Sequence, residues 1–135
     1  MIELSLMHFL TEISASNEKN MQLDIFRDNG EVLLQIFKSE DVKNWNIEFD
    51  VTKEALIFQL LFNKNKTENS ANLSRFLNSS LSKNFQRVEF YKQETYFATF
   101  PYTIGLEIIQ STINQLISEV YNLEVMTTRA TLKAY

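Results

Sequence analysis

Two acids two residues apart, Glu48 and Asp50 in "WNIEFDV" (45–51), are the first place where this chain could do chemistry. Side chains at i and i+2 of a strand share one face, so the pair would stand side by side. General acid/base work, however, needs the two environments to differ, with one carboxyl desolvated beside a partner of another character. Here Trp45, Ile47, Phe49 and Val51 alternate strictly with Asn46, Glu48 and Asp50. The expected arrangement is therefore an apolar face turned inward and a carboxylate face turned to water. His8, the single histidine, falls off the apolar stripe of its segment, and neither a nucleophile nor a metal-ligand spacing accompanies it; it reads as a surface residue. A metal-dependent nuclease would pair Asp50 with the Glu89 and Lys92 of "EFYK". Acid and lysine must then share a face, and residues three apart on a strand point to opposite faces.

Other chemistries are excluded by composition. With no cysteine there is no disulfide, thiolate metal site or cysteine nucleophile. One histidine and no cysteine remove the common zinc sites. Gly30 and Gly105, the only glycines, stand far apart, so a glycine-rich phosphate cradle cannot form. "DNGE" is too short for a calcium loop. No catalytic, cofactor or metal residue is expected.

The elements that would carry these residues follow from periodicity. The chain has 135 residues, 44% of them hydrophobic and 22% charged, within the range of one globular domain. Its 17 aromatics, 11 of them Phe, are ample material for a core. Leu6, Phe9, Leu10 and Ile13 mark a helix over 3–15. "NMQLDIFRDNGEVLLQIFK" predicts a β-hairpin about a two-residue type I′ turn at Asn29-Gly30, the two residues that best tolerate positive φ. That turn pairs Ile25 with Leu34 and Leu23 with Ile36 on one face, together with Val32, and sets Phe26 against Leu33 on the other.

"KEALIFQLLFNK" fits a strand covered on both faces, and also a helix capped by Thr52. The strand is preferred, because the preceding strand would then continue through a short turn at Thr52-Lys53. After the polar loop "NKNKTENSAN", a helix is expected over about 70–84, capped by Asn69 or Ser70 and burying Leu73, Phe76, Leu77 and Leu81. "FQRVEFYK" and "ETYFATF" read as two strands, the second closed by Pro101. Thr103 would cap a long helix over about 104–122, with Ile109, Ile113, Leu116, Ile117 and Val120 inward. The end of the chain, 125–135, is an edge strand, a partner-binding arm or a mobile tail. The sum is an α+β domain: an antiparallel sheet of about five or six strands with an N-terminal, a middle and a long C-terminal helix packed on it.

Charge bears on partners. The net charge of −4 is unevenly spread, with ten acids against four bases in residues 1–50 and four against seven in residues 51–100. A weakly acidic chain without a dense basic cluster is a poor binder of nucleic acid. No apolar run approaches the roughly 20 residues that span a bilayer. The N-terminus lacks the basic start of a secretory signal. A cytoplasmic protein, with no membrane or nucleic-acid partner, is the expectation.

The order of elements resembles the small α+β fold of type III secretion chaperones and the YbjN-like proteins. The likeness lies in "SLMHFLTEIS" with the Asn-Gly hairpin, and in "ANLSRFLNSSLSKNFQRVEFYKQETYFATFPYTIGLEIIQSTINQLISEVYNL". It is a likeness of element order, and the tail beyond Glu124 has no counterpart in it. It implies a non-enzymatic, chaperone-like, homodimeric module that holds an extended segment of a partner protein by strand addition and apolar pockets. Phe26, Leu33, Tyr91 and Tyr96, the apolar and aromatic residues left over once the core is built, are the candidate contacts. The competing readings are a small antagonist, such as a toxin-immunity or phage-encoded inhibitor, that covers a basic target with its acidic first half, and the nuclease-like enzyme considered above.

Overall fold

The computed structural model describes residues 2–42, 54–63, 67–90 and 93–134. Helix α1 (Ile2–Ala15) leads into the hairpin β1 (Met21–Arg27) and β2 (Val32–Lys38), followed by a 3₁₀ turn at Ser39–Val42. Then come β3 (Ala55–Asn63), α2 (Thr67–Asn78), β4 (Gln86–Phe90) and β5 (Gln93–Pro101). Helix α3 (Leu106–Gln115) continues through a π turn, Leu116–Val120, and β6 (Thr128–Ala134) follows. The strands form one antiparallel sheet in the order β4-β5-β3-β2-β1-β6. The three helices cover one face of it. The expected architecture is thus present, and of residues 54–62 all but Glu54 are in the strand preferred for them. The segment 45–51, with Glu48 and Asp50, lies outside the described residues.

Alternation builds the core. Leu23 and Ile25, Leu34 and Ile36, Leu56, Phe58, Leu60 and Phe62, and Tyr96, Ala98 and Phe100 all face the helices. From the other side come Leu6, Leu10 and Ile13 of α1, Phe76 of α2, and Ile109, Ile113, Leu116, Ile117 and Val120 of the C-terminal helix. Phe62, Phe76 and Tyr96 meet as tilted or edge-on rings at 4.8 to 5.9 Å, the geometry that π quadrupoles favour.

Three local details depart from expectation, each for a physical reason, and a fourth selects among the alternatives held open for the end of the chain. First, the hairpin loop has three residues, not two. Arg27 N–H donates to Glu31 O at 2.8 Å and Gly30 N–H to Arg27 O at 2.9 Å. Only Gly30 takes a positive φ, +89°, while the Asn29 carboxamide accepts the Glu31 N–H at 3.0 Å. This loop slips the register by one at its mouth, so Phe26 pairs with Val32. A β-bulge at Leu33 then restores the anticipated Ile25–Leu34 and Leu23–Ile36 pairs. Leu33 consequently turns into the core at 2% exposure, and Val32 takes the outer position at 46%. The two residues have exchanged the faces assigned to them.

Second, α2 begins at Thr67, so Asn69 and Ser70 are not its caps. The helix faces the sheet with Asn69, Asn72 and Phe76, which leaves Leu77 out at 52% exposure. Arg75 explains the polar seam: it donates through Nη2 to the Asn72 carboxamide and through Nε to Val120 O at 2.7 Å, tying α2 to the C-terminal helix. Third, Thr103 does not cap α3. After Pro101 the chain makes a 3₁₀ turn at Tyr102–Ile104, and Gly105 is the cap at φ +96°, a conformation that favours glycine. Fourth, the end of the chain is an edge strand, paired with β1 over its whole length from Met21–Ala134 to Arg27–Thr128.

Candidate functional site

Two surfaces remain once the core is assigned. One is the sheet face away from the helices. Toward the β2–β3 connection it closes over a small second cluster of Phe37, Val42, Ile57 and Phe97, with Val88 packed on it. Across its middle runs a polar row. The Asp24 carboxylate, 5% exposed, accepts from Gln22 Nε2 at 2.6 Å and Gln35 Nε2 at 3.3 Å, and it pairs with Lys133 Nζ at 3.0 Å. A buried acid held by three donors is structural wiring between β6, β1 and β2. At the hairpin end Phe26 is half-buried, while Val32 and Leu61 are exposed.

The second surface is a polar cavity of about 300 Å³, lined by the end of α1 (Ser14, Ala15, Ser16, Asn17), by Lys38, Ser39 and Glu40, and by Glu54 and Tyr102. Lys38 organises it. The strand parity that buries Leu34 and Ile36 also carries Lys38 inward, opposite Leu56. A lysine there must find partners or pay heavily for desolvation. Its ammonium, 3% exposed as a residue, donates to Ser16 O at 2.6 Å and Glu18 O at 3.0 Å and pairs with Glu40 at 2.8 Å. The carbonyls belong to the chain just beyond α1, where a cation also complements the helix dipole. Ser39 Oγ accepts the Ala55 N–H at 3.2 Å and joins β2 to β3 beneath. The Tyr102 phenol is pushed up to about 12, chiefly by burial and further by Glu54, Glu40 and Asp41.

Of the residues anticipated as partner contacts, the three described, Phe26, Leu33 and Tyr96, do not converge. Phe26 lies on the outer face as expected, clear of the main core. Leu33 is buried by the bulge, its carbonyl accepting a hydrogen bond from the Tyr121 hydroxyl. Tyr96 faces the core at 5% exposure among Phe62 and Phe76, with its hydroxyl donating to Glu94 at 2.7 Å; burial and Glu94 push its phenol up to about 12. Tyr91 lies outside the described residues. His8 is exposed, 3.7 Å from Glu12. Asp50 and Lys92 are outside the described residues, and among those described no three His, Cys, Asp or Glu side chains gather where they could hold a metal ion. No described helix is long and apolar enough to cross a membrane.

The cavity residues Lys38, Glu40, Glu54 and Tyr102 were not singled out by sequence motifs. The available signal was Lys38 itself, a lysine at an inward position of "VLLQIFK". The chain matches no family model, no curated protein and no solved structure.

Proposed function

We propose that the protein is a non-enzymatic binding module, chaperone-like, that holds an extended segment of a partner protein. The observation that carries this reading is the open edge of β6: seven residues paired on one side with β1, and on the other with no strand among the described residues. An edge of that length offers backbone donors and acceptors to an incoming strand. Beside it, at the hairpin end of the outer face, Phe26, Val32 and Leu61 supply apolar contacts for that strand's side chains. The element order that resembles the type III secretion chaperones and YbjN-like proteins supports the same reading.

The opposite edge, β4, serves the homodimer. It is five residues long, and Val88 there is half-buried against the second apolar cluster, so a second copy's β4 would extend both the sheet and that cluster. Light scattering should give a dimer, with amide exchange in 86–90 slowing as protein concentration rises.

The decisive variant is Phe26→Asp. Unstructured peptides selected on the wild type from a displayed library should not bind it, while its circular dichroism and urea midpoint stay unchanged. Retained peptide binding would refute the reading, and outright unfolding would place Phe26 in the core.

A further inference from the structure

We propose that the β6 edge is keyed to an extended segment of a partner protein that carries two acidic residues four apart, in the pattern acid–apolar–any–apolar–acid. This rests on the reading of β6 as a strand-accepting edge and names the kind of strand it takes.

Backbone alternation sets the register. Arg27 turns both its backbone groups toward the hairpin loop and β2, its N–H donating to Glu31 O and its carbonyl accepting from Gly30 N–H. Along an antiparallel strand this direction alternates, so Gln22, Asp24 and Phe26 turn theirs to β6, opposite Lys133, Thr131 and Arg129. The backbone groups of Ala130 and Leu132 are therefore on the open side, and an added antiparallel strand makes its hydrogen-bonded pairs with these two. Their side chains are half-buried at the rim of the main core. Residues opposite them turn to that same side and extend the core, so they must be apolar. Arg129, Thr131 and Lys133 fall in the non-hydrogen-bonded pairs, where facing side chains come closest.

Those closest pairs carry charge. The Arg129 and Lys133 side chains are 71% and 56% exposed, and each has an intramolecular partner that leaves donors over. Arg129 binds Asp28 through Nε, in a pair open to water on both sides and so weakly held. Its two Nη groups have no partner among the described residues. Lys133 gives one of its three N–H groups to Asp24, a carboxylate that Gln22 and Gln35 also hold. Two carboxylates on an added strand, opposite Arg129 and Lys133, complete both sets. A second copy does the reverse. Two β6 strands paired antiparallel over all seven residues cross at Thr131, which sets Arg129 against Lys133 twice. The edge thus repels its own copy and selects an acidic strand.

Fluorescence anisotropy of a labelled peptide, Ser-Ser-Glu-Val-Thr-Val-Glu-Ser-Ser, titrated with the full chain, tests this. The expected result is saturable binding that weakens about tenfold when both Glu become Gln, the effect of two cross-strand charge pairs. Binding should be lost when both Val amides are N-methylated. Arg129→Glu, on an exposed side chain, should keep its circular dichroism and prefer Ser-Ser-Glu-Val-Thr-Val-Lys-Ser-Ser to the parent peptide, since an antiparallel strand sets its second charge against position 129. Equal affinity for the Glu and Gln peptides, both abolished by N-methylation, would overturn the acidic key and leave the edge reading standing. So would failure of the acidic peptide to bind where library-selected peptides bind and are lost on N-methylation. Binding that survives N-methylation in both sets, or no binding by either, would overturn the edge reading and the key together. Amide exchange over 128–134 that slows with protein concentration alone would overturn the proposal and assign the edge to a second copy.

Discussion

Replacing Lys38 by Met tests whether its ammonium holds the end of α1 onto the sheet. Methionine keeps an unbranched stem of similar length, so the packing beside Leu56 survives and the loss is confined to the charge and its bonds. Two carbonyls, Ser16 O and Glu18 O, then lose a charged donor, and bonds of that kind contribute about 1.5–3 kcal/mol each. The lysine's own burial cost is relieved at the same time, and residues 17–20 are exposed, so water can reach part of what is left. The net expectation is a loss of about 2–3 kcal/mol, below the roughly 3–5 kcal/mol for breaking a fully buried ion pair. Glu40 gives the contrast. Its side chain is 54% exposed, so Glu40→Gln should cost under about 1 kcal/mol despite its 2.8 Å contact with the same ammonium. Urea unfolding reads both: with a slope of about 1.5 kcal/mol/M, Lys38→Met lowers the midpoint by roughly 1.3–2 M and leaves the slope unchanged. Amide exchange should quicken across residues 16–20. A Lys38→Met protein as stable as wild type would show that desolvation of the ammonium cancels its bonds. A Glu40→Gln loss as large as that of Lys38→Met would show that the ion pair, and not the carbonyls, is what matters.

Leu33→Ala should destabilise by about 2–5 kcal/mol as a core truncation, whereas Val32→Ala, one residue away, should stay within about 0.5 kcal/mol; equal losses in thermal unfolding would mean that the bulge does not form. Gly30→Ala meets no atom within 4 Å of its new Cβ, so its cost, about 1 kcal/mol in urea titration, should come from the +89° φ alone. Ultraviolet titration should find Tyr102 and Tyr96 ionising near 12 and Tyr121, fully buried, later still. A folded pKa above the ordinary 10 means that the native state holds its phenolic protons longer than the unfolded chain. Stability is therefore intact below pH 10 and falls as pH rises toward 12, and Tyr102→Phe should make that fall shallower. An unchanged alkaline slope in Tyr102→Phe would refute the assignment.

Much of the architecture was legible in the sequence because it follows from short-range periodicity. The stripe of Leu6, Leu10 and Ile13, the inward Ile109 to Val120, and the alternation of Leu56 to Phe62 each report a face to be buried, whatever it is buried against. The inner pairs Leu23–Ile36 and Ile25–Leu34 were also legible, since a one-residue slip would have put them all in water. What escaped was whatever depends on a neighbour distant in sequence. The exchange of Leu33 and Val32 rests on a bulge whose carbonyl is taken up by Tyr121, 88 residues away. The rotation of α2 that exposes Leu77 is set by Arg75 reaching Val120 O. The strand at 128–134 shows little pattern of its own and is placed by pairing with β1.

The cavity belongs wholly to this second kind. Sequence alone established the α+β class, the hairpin, most of the core and the lack of glycine-rich or cysteine-based chemistry, because composition and period are local properties. Only the tertiary structure brought Lys38, Glu40, Glu54 and Tyr102 to the end of α1. Their spacing along the chain carries no motif, and it is antiparallel strand order that turns distant residues into walls of one space.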